Sequence, residues 1–173
     1  DSELVGGGVT FTDNTVTGNG GNGVYFNRGI SGGVTFKDNT VTGNSGSGGY
    51  FNDVYGAVEA TGNVLRDNTG TGLRFHKRDA GAITIKENEV TGGHGDESGI
   101  TLYHNGGGNA QVSANTVSGG HGYGIRVENG SQYVKPQIKE NVIKENGKAG
   151  IRTTGKVLPG VSGNTLDGNG NGM

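Results

Sequence analysis

The residues best suited to chemistry form a recurring column. Tyr25, Tyr50, Arg74, Thr101, Arg126 and Arg152 are spaced about one repeat apart. Each of the first five is followed two positions later by Asn27, Asn52, His76, Tyr103 or Glu128, with Lys77 and His104 one residue further on. Aromatic rings stack on the apolar faces of sugars, and the planar guanidinium of Arg holds carboxylates in a bidentate fork. The expected ligand-binding groove therefore comprises Tyr25, Tyr50, Arg74, His76, Lys77, Tyr103, His104 and Arg126. Lys77, His76 or Tyr103 would be the base if the groove catalysed elimination, with Arg74 or Arg126 neutralising a uronate. Other chemistries are excluded or unsupported. The chain has no Cys, so thiol nucleophiles, disulfides and Cys-ligated metals are ruled out. Acid–base hydrolysis of a glycoside needs two carboxylates flanking the bond, and none recurs in phase. Gly92-Gly93-His94-Gly95-Asp96-Glu97-Ser98 is similar to a calcium loop, but it occurs once, and such loops work in tandem. No catalytic residue, metal or cofactor is assigned.

The elements that must position this column follow from an internal repeat. Asn14, Asn39, Asn63, Asn88, Asn115, Asn141 and Asn164 lie 23 to 27 residues apart, each with an apolar residue two positions later. The residues five and three before each Asn are mostly apolar, as in Val9/Phe11, Val34/Phe36 and Ile83/Ile85. A third pair follows a Gly-rich corner, as in Val24/Phe26, Leu73/Phe75 and Ile100/Leu102. Period-two spacing dictates strands, and 39 glycines interrupt almost every window long enough for a helix. Three short strands per repeat, stacked turn on turn at roughly 4.8 Å, make an all-β, single-stranded parallel β-helix of about seven coils and three parallel sheets. Residues 1–8 form a lead-in and residues 9–173 the solenoid. Seven Asn in one phase predict an internal ladder at a corner, each amide bonding its own turn and the Asn above and below. Gly23, Gly48, Gly72, Gly99, Gly124, Gly150 and Gly172 precede the third strands and are expected at positive φ.

The in-phase pattern apolar-x-apolar-x-x-Asn-x-apolar, followed by Gly-apolar, resembles the right-handed parallel β-helix repeat of the pectate-lyase-like superfamily, including NosD-like and carbohydrate-binding and sugar-hydrolysis repeat proteins. The resemblance covers residues 9 to 173 and implies right-handedness. It also implies a choice between polysaccharide-active enzymes, tailspikes, adhesins and structural surface proteins. The enzyme motifs of that superfamily fare poorly. Gly-His-Gly occurs twice, at Gly93-His94-Gly95 and Gly120-His121-Gly122, but without an Asp-Asp pair or an Arg-Ile-Lys strand, and Asp-Pro-His is absent. An enzyme of this pattern would be a lyase or epimerase acting on acidic glycans.

Outward Thr15/Thr17 and Thr40/Thr42 suggest an ice-binding face, which Arg66, Glu89, Lys144 and Asp167 interrupt. Basic residues are neither in excess nor clustered in a stripe, which argues against nucleic acid. Apolar runs are too short for a membrane span. Residues 1–62 carry two basic and six acidic groups, and residues 126–173 seven and four. Opposite charge at the two ends favours copies associating head to tail, the Met173 end against the Asp1 end, without end caps. The expectation is a structural or adhesive solenoid at an extracellular or cell-surface location, able to assemble into a filament. The alternatives are a polysaccharide-binding or polysaccharide-active domain and a piece of a larger surface or tailspike protein.

Overall fold

The computed structural model describes residues 6–77, 80–104 and 109–170. They form twenty strands in three parallel sheets. The first sheet stacks β1 (Val9–Thr12), β4 (Val34–Lys37), β7 (Val58–Thr61), β10 (Ile83–Lys86), β13 (Ala110–Ser113), β16 (Gln137–Lys139) and β19 (Gly160–Ser162). The second stacks β2 (Thr15–Thr17), β5 (Thr40–Thr42), β8 (Val64–Asn68), β11 (Glu89–Gly92), β14 (Thr116–Ser118), β17 (Val142–Lys144) and β20 (Thr165–Asp167). The third stacks β3 (Val24–Phe26), β6 (Gly49–Asn52), β9 (Leu73–Lys77), β12 (Ile100–His104), β15 (Ile125–Val134) and β18 (Ile151–Val157). The repeat is thus a three-sheet β-solenoid, and equivalent residues of successive turns pair directly. Val9 opposes Val34, Phe36 opposes Ala60, and Ile85 opposes Val112.

The same register stacks like on like in the core. Phe26, Phe51 and Phe75 form one column, with ring centroids 5.1 and 4.7 Å apart and the second pair nearly parallel. Phe11 stacks on Phe36 at 5.8 Å. Ile, Leu and Val fill the later turns, and Ile83, Ile85, Ile100, Leu102 and Ile125 are fully buried.

The Asn ladder runs unbroken through all seven turns. Side-chain Nδ2 of Asn14, Asn39, Asn63, Asn88, Asn115 and Asn141 each donates to Oδ1 of the next Asn, at 2.9 to 3.1 Å. The same Oδ1 atoms accept the backbone N–H of the preceding ladder residue, as for Asn63 N to Asn88 Oδ1 at 3.0 Å. A second ladder lies five residues on, at the other end of the second sheet's strands. Asn19 donates to Asn44, Asn44 to Asn68 and Asn146 to Asn169 at 2.8 to 2.9 Å. The repeat places Gly93 and Gly120 where the intervening rungs would be, so the column is interrupted.

The glycines before the third strands correct one expectation. Of that set, Gly23, Gly48, Gly72, Gly99, Gly124 and Gly150 do not take positive φ, and Gly172 lies outside the described residues. They are glycines for lack of room. A Cβ on Gly72 would stand 2.2 Å from Val90 Cγ1, on Gly99 2.2 Å from Val117 Cγ1, and on Gly124 2.3 Å from Ile143 Cγ2. The left-handed backbone falls instead on the residue just before each first-ladder Asn. It is Asp13, Asp38, Gly62, Glu87, Ala114, Glu140 or Gly163, with φ from 53 to 66°. Asp is among the residues that tolerate this region best, though two Glu and one Ala accept it here.

Candidate functional site on the third sheet

The third sheet positions the predicted column. Tyr25, Tyr50, Arg74, Thr101, Arg126 and Arg152 are direct partners in successive strands. Their side chains point away from the core residues on either side of them. Tyr25 and Tyr50 lie ring against ring, tilted by 33°, with centroids 5.1 Å apart. The Arg74 guanidinium carbon lies 5.0 Å from the Tyr50 ring centre and 5.6 Å from that of Tyr103, so the cation is held between two aromatic faces. Further along, Arg126, Lys148 and Arg152 surround the Tyr123 ring at 5.8, 5.2 and 5.1 Å.

A hydrogen-bond network fixes the companion column. Asn52 Nδ2 donates to Tyr25 Oη at 3.0 Å and to Asn27 Oδ1 at 2.9 Å, which leaves Asn52 Oδ1 as an acceptor 3.2 Å from His76 Nδ1. In the tautomer that donates from His76 Nδ1 to this oxygen, Nε2 is left as the acceptor of the ring. Its ring meets Tyr103 edge-on, with centroids 6.2 Å apart. The buried Asp53 carboxylate stands 3.9 Å from His76 Nδ1 and 3.4 Å from Arg28 Nε.

Three depressions open along this face and share walls. One of about 200 Å³ is lined by Tyr50, Arg74, His76 and Tyr103. A larger one of about 460 Å³ adds Glu128, Asn129, Gly130, Thr154 and Gly155 to His76 and Tyr103. The third, of about 100 Å³, lies between Arg74, Tyr103 and Arg126. The wall at Asn129 and Gly155 exists because β15 and β18 run on past the sheet, with a bulge between Asn129 and Val134.

Charges along the groove are largely compensated. Arg126 Nε donates to Glu128 Oε1 at 2.8 Å. Burial pulls the Arg126 pKa down, but the Glu128 hydrogen bond, together with Tyr103, the Glu128 charge and Tyr123, raises it overall. Lys148 Nζ lies 2.7 Å from Asp96, and that hydrogen bond and charge hold the Asp96 carboxyl below its ordinary pKa.

Two predicted groove residues do not face the groove. The inward alternation of β9 and β12 continues to the strand ends, so Lys77 and His104 follow Phe75 and Leu102 into the interior and are 2 % and 1 % exposed. Lys77 Nζ donates to the carbonyls of Val54 at 2.8 Å and Gly56 at 2.5 Å, pinning the corner loop of the preceding turn. Tyr25, Tyr50, Arg74, His76, Tyr103 and Arg126 are brought together on one face. Tyr123, Ser98 and the β15–β18 wall join them without having been singled out in the sequence. His94 and His121, from the paired Gly-His-Gly corners, sit on exposed corners with ring centroids 5.4 Å apart. Among the described residues no three His, Asp or Glu cluster as metal ligands, and no helix is long and apolar enough to cross a membrane. Asp1 and Met173, named for head-to-tail association, lie outside the described residues.

No match to a curated protein or to a solved structure was found. A family model described as "Right handed beta helix region" matches residues 3–135 and 31–173, which together span nearly the whole sequence. With three parallel sheets, an internal Asn ladder and that match, the chain belongs to the right-handed β-helix family.

Proposed function

We propose that this protein is a structural and adhesive β-solenoid, working outside the cell or at its surface, whose third sheet binds an extended polysaccharide. The observation that carries this reading is the chain of ring and guanidinium contacts from Tyr25 through Tyr50 and Arg74 to Tyr103 of the companion column, which walls adjoining depressions. The ring edges and hydroxyls of this row repeat at strand spacing and suit contacts along successive sugar units, and His76 Nε2 and the Glu128 carboxylate supply acceptors for hydroxyl groups. The test is affinity electrophoresis through gels containing neutral, acidic or N-acetylated polysaccharides. At least one gel should retard the protein, and Tyr50→Ala should weaken retardation about fivefold, the worth of one aromatic contact of roughly 1 kcal/mol. Unretarded migration in every gel would overturn the proposal.

Head-to-tail association of copies is a second reading, favoured by the charge gradient from the acidic residues 1–62 to the basic residues 126–173. It predicts light-scattering growth at low ionic strength that salt reverses. A monomer at high concentration in low salt would end it.

A further inference from the structure

The smallest of the three depressions differs in character from the groove it branches from. Ser98 is 1 % exposed, and its hydroxyl lines this depression with no hydrogen-bond partner among the described residues. Arg74 Nε, from another residue lining this depression, is also buried and without a hydrogen-bond partner among the described residues. Buried polar atoms are nearly always satisfied, so two orphans from the lining of one depression point to a place where a ligand atom completes the network. The Ser98 hydroxyl and Arg74 Nε–H are both donors, so the group that completes them offers an acceptor.

The charge of the lining narrows the choice. Arg74 and Arg126 face Asp96 and Glu97, for a formal sum of zero. Arg126 is taken by Glu128, Asp96 by Lys148, and Glu97 accepts a hydrogen bond from Thr71 Oγ1 at 2.5 Å. An entering carboxylate would share this pocket with two carboxylates already present, a like-charge arrangement that disfavours it. A neutral group with a strong acceptor does not meet that repulsion. The volume, about 100 Å³ against about 460 Å³ for the largest depression, suits a substituent hanging from a sugar rather than the ring itself.

We infer that the pocket between Arg74 and Ser98 receives the acetamido group of an N-acetylated amino sugar. Its carbonyl oxygen accepts from Arg74 Nε–H and Ser98 Oγ–H, and its methyl lies against the Tyr103 ring. This inference rests on the glycan-binding reading above and assigns it a sugar class.

The test is calorimetric titration of the wild-type protein with four hexasaccharides: N-acetylglucosamine, glucosamine, glucose and galacturonate oligomers. The N-acetylated oligomer should bind about tenfold more tightly than the glucose and glucosamine oligomers, the worth of one well-placed hydrogen bond set. Ser98→Ala should collapse that ratio to within about threefold. Arg74→Lys, which keeps the charge but removes Nε–H, should do the same. If the galacturonate oligomer binds best, or if either variant weakens all four ligands alike, the acetamido pocket is refuted and the glycan groove stands. If none of the four binds, while the gel assay still retards the protein, only the sugar class is lost. If both assays are blank, the groove reading fails with it.

Discussion

Replacing one rung of the first ladder tests how the solenoid is held together. Asn88 is 1 % exposed and makes five side-chain hydrogen bonds. Its Nδ2 donates to Ala60 O at 2.9 Å, Lys86 O at 3.0 Å and Asn115 Oδ1 at 2.9 Å, and its Oδ1 accepts from Asn63 N and Nδ2 at 3.0 and 2.9 Å. Asn88→Ala leaves the buried Asn63 N–H without its acceptor, at about 1–3 kcal/mol, and deletes four further bonds worth about 1 kcal/mol each net, for a total near 6 kcal/mol. Asn14 is the contrast: its side chain donates to Thr12 O and Asn39 Oδ1, and Asn14→Ala orphans no donor. It should cost about 2 kcal/mol. Asn88→Asp is more severe than Ala at neutral pH, because a carboxylate would face three acceptors. Those acceptors raise its folded-state pKa above the unfolded value, so the variant regains stability as pH falls through that pKa and loses it as pH rises. Urea unfolding followed by far-ultraviolet circular dichroism reads all three. Equal midpoint shifts for Asn14→Ala and Asn88→Ala, or a loss below about 1 kcal/mol at Asn88, would refute the ladder as the source of cohesion.

Further outcomes follow from other positions. Gly99→Ala should cost about 2–3 kcal/mol through its clash with Val117 Cγ1, and Val117→Ala in the same chain should return part of it in a double-mutant cycle. Gly43→Ala has open space at φ +65° and should cost only about 1 kcal/mol; the reverse order would show that backbone conformation, not room, constrains Gly99. Lys77→Met should speed hydrogen exchange and proteolysis in the corner loop around residues 54–56, with the third-sheet amides still protected. Unaltered exchange there would remove its pinning role. In an NMR titration Asp96 should protonate below the ordinary Asp range, and Lys148→Met should move its midpoint upward; no movement would discount the Lys148 hydrogen bond.

How much was legible depended on whether the cause lay within one turn. The alternation at Val34/Phe36 and the Asn phase are local, so strands, sheets, register and first ladder could all be read from the residues. The second ladder was equally local, since Asn19, Asn44, Asn68, Asn146 and Asn169 each follow a first-ladder Asn by five. Gly93 and Gly120 break its phase, however, and hide it. The glycines before the third strands were misread because the atom that excludes their Cβ belongs to a side chain in the next turn, such as Val90 above Gly72. Lys77 and His104 lie beyond the apolar pairs Leu73/Phe75 and Ile100/Leu102, so the pairs alone do not show that the strand continues through them. In five-residue β9 and β12 the alternation carries them inward. The pocket at Ser98 could not be anticipated at all, because it arises from corner residues of one coil meeting Arg74 from the coil before.

Identical register between neighbouring coils has a consequence for length. Thr40 pairs with Val64, and Val64 with Glu89, so excising residues 64–88 would leave Asn63 leading directly into a strand that already fits β5. Each coil is therefore an interchangeable module. The rod can be lengthened or shortened by whole coils in the same backbone register, and the length of its third sheet would change in the same increments.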